Sequence, residues 1–107
     1  MKKEYKSFKE FYPYYLSEHM NPICRGLHVF GTFGVFIVII FSFFNIKYII
    51  VAPFIGYGFA WMGHYFFENN SPATFRYPMY SFFGDWLMFI DILKGKESIL
   101  HPKDPFK

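Results

Sequence analysis

The sequence predicts an all-α integral membrane protein: a two-helix transmembrane hairpin, an N-terminal interfacial helix and an amphipathic third helix that is re-entrant or interfacial. Three observations carry this. From Gly26 to Ile46 no Asp, Glu, Lys or Arg occurs over 21 positions, and from Tyr48 to Phe67 none occurs over another 20. As helices rising about 1.5 Å per residue, both runs reach about 30 Å, the thickness of a bilayer's hydrocarbon core. The 107 residues are 53% hydrophobic, 26% aromatic and only 18% charged, where soluble domains carry roughly 25% charge. One domain of this length has no polar segments long enough to wrap two such helices.

The elements follow in order. In residues 1–20, Phe8, Phe11, Tyr12 and Tyr15 recur at i, i+3, i+4 and i+7, one face of a helix with Lys6, Lys9 and Glu10 elsewhere. Pro13 is expected to kink or split it, and its tyrosines suit the headgroup region. Asn21 and Pro22 read as N-cap and first residue of a spanning helix over 22–44. Gly26, Gly31 and Gly34 along it would admit a close neighbour, which leaves a homo-oligomer open. Asn45-Ile46-Lys47 is a turn, and a second spanning helix covers 48–68 with Pro53 near its start. A loop precedes the third helix, 78–94, which Gly95 ends. Ser81, Gly84, Asp85, Met88 and Asp91 share a narrow arc of it, opposite a broad aromatic face. A polar tail fills 95–107.

Neither apolar run reads as a signal peptide, since the first follows more than twenty mixed-charge, aromatic residues and no small-residue cleavage site comes after it. The lone Cys24 cannot form an intramolecular disulfide and does not report a redox compartment. A net charge of +3 suits membrane-flanking Lys and Arg. No basic patch has a nucleic-acid signature, so no nucleic-acid partner is expected.

The four histidines are the chemically informative residues. His28 lies 18 residues before Ile46 at the turn, and His64 lies 18 after it. Two antiparallel helices of equal rise set both at one depth, at the end away from the turn. His19 precedes the first span and belongs to the same end. Lys2, Lys3, Lys6, Lys9, Arg25 and Arg76 flank that end and Lys47 alone marks the turn, which makes the histidine end cytoplasmic. A third helix that does not span keeps the tail lysines on that side and returns His101 to the other three. A histidine at a helix end is ordinarily a cap or an interfacial anchor. Four imidazoles converging at one membrane surface instead suggest a transition-metal site, for which imidazole suits iron, zinc, copper or nickel.

Two blocks carry a resemblance. "FYPYYLSEHMNPICRGLHVFGT" over 11–32 presents Glu18, His19, Arg25, His28, Gly31 and Thr32. "GHYFFENNSPATFRYPMYSFFGDW" over 63–86 presents Gly63, His64, Glu68, Asn70, Pro72, Ala73, Phe75, Ser81, Gly84 and Asp85. Together they resemble, over roughly residues 8–95, the small membrane-protein family that includes the fungal 2-hydroxy fatty acid dioxygenase of phytosphingosine α-oxidation. The resemblance implies an iron(II)-dependent dioxygenase that shortens a 2-hydroxy fatty acid by one carbon with O2, working in the lipid bilayer. Position by position it makes His19, His28 and His64 metal ligands. His101 as a fourth rests on the topology argument.

The remaining polar residues divide into two roles. Arg25 or Arg76 would pair with the substrate carboxylate, unless they are ordinary flanking charges. Glu68, Asn70 and Asp85 would lie around the metal ligands, with Glu68 and Asp85 holding their second ring nitrogens. Asp85 is the stronger of these, because an acidic group among apolar residues is costly to keep. Two other classes stay open on the residues alone: a haem- or metal-binding electron-transfer protein, and a metal-free lipid-binding protein. The setting would be an inner membrane in a bacterium or the endoplasmic reticulum in a eukaryote.

Overall fold

The computed structural model describes residues 4–72 and 75–106. Ala73 of the second block lies outside them, as do Lys2 and Lys3. The described residues form helices and no strand: α1 (Phe8–Ser17), α2 (Pro22–Ser42), a 3-10 turn (Ile46–Ile50) leading into α3 (Val51–Gly63), a π-helical turn (His64–Glu68) and α4 (Pro78–Leu93). The stretches Pro22–Ser42 and Ile46–Glu68 are long and apolar enough to cross a membrane.

Local chemistry sets the boundaries. Ser7 caps α1 by accepting from the Glu10 N–H, while Glu10 accepts from the Lys6 N–H. α1 is not split at Pro13; it runs through as one helix. Asn21 caps α2, its Oδ1 accepting from the N–H groups of Ile23 at 2.8 Å and Cys24 at 3.3 Å, with Pro22 at the first turn. The second span, expected as a uniform helix over 48–68, starts with a 3-10 turn and finishes with a π turn. Pro53 cannot donate to the Ile49 carbonyl, so regular α-helix bonding is interrupted at its start. Gly95, at φ 80°, lets the chain leave α4.

Half of the aromatic face of α1 is covered by protein, Phe11 and Tyr15 being buried and Phe8 and Tyr12 half-buried. Phe11, Tyr15 and Leu16 pack with Met88 of α4 into the buried core. The small face of α4 makes this possible, since Ser81, Gly84 and Met88 are its buried residues. A Cβ at Gly84 would stand 2.9 Å from the Tyr15 ring. Gly84→Ala is therefore expected to lower stability by about 1–3 kcal/mol, measured as a fall in the unfolding midpoint in detergent. An unchanged midpoint would mean that the ring yields freely.

α2 packs along α3 and also meets α4, while α4 rests on α1. Both ends of α4 lie by α1 and the start of α2: Phe11 meets Tyr77 and Tyr80, and Arg25 of α2 meets Glu97 just past the helix. α4 therefore does not carry the chain away from the histidine end.

Candidate metal centre

Three imidazoles meet where α1 ends, α2 begins and α3 passes into its π turn. The Nε2 of His19 lies 3.0 Å from that of His28, which lies 3.1 Å from that of His64. All three side chains are buried, and one ligand atom from each falls within 4.8 Å of the others. The depth symmetry about Ile46 thus appears as direct apposition of His28 and His64.

Each outer ring nitrogen has its own acceptor. The Nδ1 of His19 is 2.6 Å from the Tyr15 carbonyl, one helical turn back. The Nδ1 of His28 is 3.1 Å from Asp85 Oδ1. The Nδ1 of His64 is 2.7 Å from Asn70 Oδ1, and the Asn70 amide donates to the Glu18 carbonyl at 3.3 Å. A carbonyl, a carboxylate and an amide oxygen only accept, so each Nδ1 carries the proton and each Nε2 presents a lone pair. The His28 lone pair faces those of His19 and of His64 at about 3 Å, a contact that repels unless a cation or a shared proton lies among them. That spacing also matches two ligands at right angles, each about 2.1 Å from one ion. The donor set therefore fits a transition-metal ion, with the second nitrogen of every ligand fixed as such sites require.

Electrostatics agree. Burial, and then the neighbouring imidazoles of His28 and His64, hold His19 well below the usual histidine range, so it stays neutral. Burial and the Asp85 carboxylate keep the Tyr15 phenol protonated. Its hydroxyl donates to Asp85 Oδ1, the same oxygen that faces His28.

The π turn places His64 and its partner. It ends at Asn69, at φ 57°, a left-handed conformation that Asn tolerates. The reversal brings the Asn70 N–H back to the His64 carbonyl at 3.2 Å and its side chain to the ring. Directly before His64, Gly63 allows α3 to touch α2, since a Cβ there would lie 2.8 Å from Cys24 Sγ.

The other expected residues are placed differently. Glu68 accepts from the Asn21 N–H and so ties the end of the π turn to the start of α2 instead of orienting an imidazole. Arg25 is fully buried, and its donors are taken: Nε by the His19 carbonyl at 2.9 Å, one terminal nitrogen by Glu97 at 2.9 Å and the Ser98 carbonyl at 3.1 Å, the other by the Leu16 carbonyl at 3.4 Å. It clamps the α1–α2 connection and the tail together, with four of its five N–H donors engaged by the protein itself. Arg76 is exposed, its guanidinium over the Tyr77 ring at 5.3 Å.

The convergence of four histidines is corrected to three. The tail does return to the first turn of α2 through Glu97 and Ser98, but His101 lies exposed beyond that contact. A shared side of the membrane does not bring a side chain to a buried centre. His101→Ala is expected to load metal as the unsubstituted chain does, checked by elemental analysis.

Sequence reasoning missed Tyr15, which serves two ligands at once through its carbonyl and its hydroxyl. It also missed Glu97, for which no local signal exists.

A family model described as 2-hydroxy-palmitic acid dioxygenase Mpo1-like matches residues 5–97. The chain belongs to the Mpo1-like family. The Mpo1-like match spans His19, His28, His64, Asn70 and Asp85 and ends before His101. No curated protein and no solved structure matches the chain.

Proposed function

We propose that the chain is an iron(II)-dependent dioxygenase that shortens 2-hydroxy fatty acids by one carbon, integral to a membrane with its histidine end at the cytoplasmic surface. The observation that carries this is the convergence of three proton-free Nε2 atoms in a buried pocket, in a chain of the Mpo1-like family. The membrane setting is supported by the two spans and by how little of them is covered. Phe43, Phe44 and Phe54 are 85%, 84% and 76% exposed, which water would penalise and lipid would not.

His19, His28 and His64 would hold the ion as neutral donors, leaving its dipositive charge undiminished. When bound, iron(II) would supply Lewis-acid binding of the substrate's hydroxyl and carboxylate oxygens and the means to activate oxygen. The Tyr15 carbonyl, Asp85 and Asn70 fix the three ring planes. Arg25, by gripping the His19 and Leu16 carbonyls, keeps the first of these ligands in register. The overall balance, R–CH(OH)–COOH + O2 to R–COOH + CO2 + H2O, closes without an external reductant, so no redox partner chain is required.

Protein reconstituted anaerobically with iron(II) is expected to hold near-stoichiometric iron and to convert a 2-hydroxy fatty acid to the acid one carbon shorter, with matching O2 uptake. Loading without shortening of any 2-hydroxy acid would overturn the activity. Absence of metal binding would overturn the site.

A further inference from the structure

We infer that the cleft bounded by α2, α3 and α4 is the acyl-chain site, that the chain enters it sideways from lipid between α3 and α4, and that Ala52 and Ile49 set the length it accepts. This rests on the reading of a 2-hydroxy fatty acid as substrate. The cavity holds about 240 Å³, against the roughly 150 Å³ of an apolar cavity that takes benzene. His28 and Asp85 line it, so its upper end abuts the histidine cluster. Its carboxylate and imidazole stand at one end, and the rest of the lining is apolar apart from the Thr32 and Tyr57 hydroxyls.

The direction of the cleft follows from the lining. His28, Thr32 and Val35 succeed one another down one face of α2 at i, i+4 and i+7, a descent of roughly 10 Å. Across from them the wall continues through Gly56 and Ala52 to Ile49, in the 3-10 turn near the bend of the hairpin. A carboxylate and hydroxyl headgroup at the histidines would therefore leave its hydrocarbon pointing at the hairpin turn. That is the polarity of a 2-hydroxy acid and of its environment in the bilayer.

The entrance follows from packing. α2 contacts both α3 and α4, but α3 and α4 scarcely touch each other. Tyr57 on α3 and Phe82 on α4 both line the cleft and are 41% and 49% exposed. The gap between them faces where lipid tails would lie. Apart from the Tyr57 hydroxyl the wall residues there are small or apolar, and no charged side chain other than Asp85 at the head bars the way.

The test uses the metal-loaded full chain in phosphatidylcholine nanodiscs, with Trp61→Phe so that Trp86 in the cleft wall is the only tryptophan. The probe is a long-chain 2-hydroxy fatty acid brominated along its tail, which quenches nearby indole fluorescence. Quenching is expected to be reversed by the unbrominated 2-hydroxy acid. Ala52→Phe, with metal content unchanged, is expected to weaken the long-chain acid by tenfold or more and to alter a short-chain acid by less than about twofold. Ile49→Ala is expected to shift preference toward longer chains, and it carries the test alone if Ala52→Phe does not load metal. If 2-hydroxy acids are bound and shortened but both variants keep the original length preference, the acyl assignment is wrong and the proposed activity stands. If no 2-hydroxy acid competes with the probe, the substrate class is wrong and the cleft assignment goes with it.

Discussion

His28→Ala and His64→Ala are each expected to leave the purified protein without near-stoichiometric metal and without turnover. The two rings occupy neighbouring positions of one buried cluster, 3.1 Å apart at Nε2. Removing either leaves two imidazoles and a void that no other described side chain is placed to fill. Loss of an orienting partner around a metal site costs about 10- to 100-fold in affinity, and loss of a ligand should exceed the upper end of that range. His19→Ala should behave alike, with the added effect that the Tyr15 carbonyl loses one of its two donors and keeps only the Glu18 N–H. Metal content after anaerobic reconstitution and dialysis is the direct measurement. Full loading of the His28 and His64 variants would sink the ligand assignment whatever happened to activity.

The same geometry separates the competing classes. Two imidazoles holding a haem iron sit on opposite faces of the macrocycle, about 4 Å apart at their nitrogens. Here the facing Nε2 atoms are 3.0 and 3.1 Å apart, too close for a porphyrin to lie between them. A metal-free lipid-binding protein would need a proton shared among the facing Nε2 atoms in place of an ion, and the metal content of the purified protein separates that class.

How much of this the sequence disclosed depends on the kind of contact. The depth match of His28 and His64 was legible because helical rise is a fixed length, and counting from the turn is then enough. The two helices long and apolar enough to cross a membrane were legible because apolar runs of that length are rare. The role of Asp85 was legible because a carboxylate amid aromatics demands a partner. Tyr15 was not, since any residue supplies a carbonyl and an interfacial tyrosine needs no further explanation. The π turn at His64 was not, because a single change in backbone bonding has no composition of its own. Arg25 and Glu97, 72 positions apart, pair only once α4 has folded back over α2. His101 was misplaced because charge bias assigns a side of the membrane, and many positions on that side lie far from the centre.

Asp85→Ala is expected to lower metal affinity by roughly 10- to 100-fold while leaving the three histidines in place. Oδ1 of Asp85 serves two partners: it faces the Nδ1 of His28 at 3.1 Å and accepts from the Tyr15 hydroxyl. Without it the His28 ring loses both its orientation and the preference for a proton on Nδ1, so a fraction of molecules presents a protonated Nε2 to the centre. Tyr15, buried against α4, is left with an unpaired hydroxyl, which costs about 1–3 kcal/mol. Asp85→Asn separates the two effects. Its amide oxygen can still accept from His28, but it brings no negative charge to raise the basicity of the ring, so its affinity should fall between the parent and the alanine variant. Tyr15→Phe removes only the hydroxyl and keeps the carbonyl that holds His19, and it should be milder still. The measurement is competition with a chelator of known affinity, using cobalt(II) as well as iron(II) so that the result does not depend on turnover. Equal affinity in the parent and Asp85→Ala would mean that His28 is positioned by packing alone. An ordering of parent, Tyr15→Phe, Asp85→Asn and Asp85→Ala would place the carboxylate, and not the helix that carries it, as what holds the second ligand.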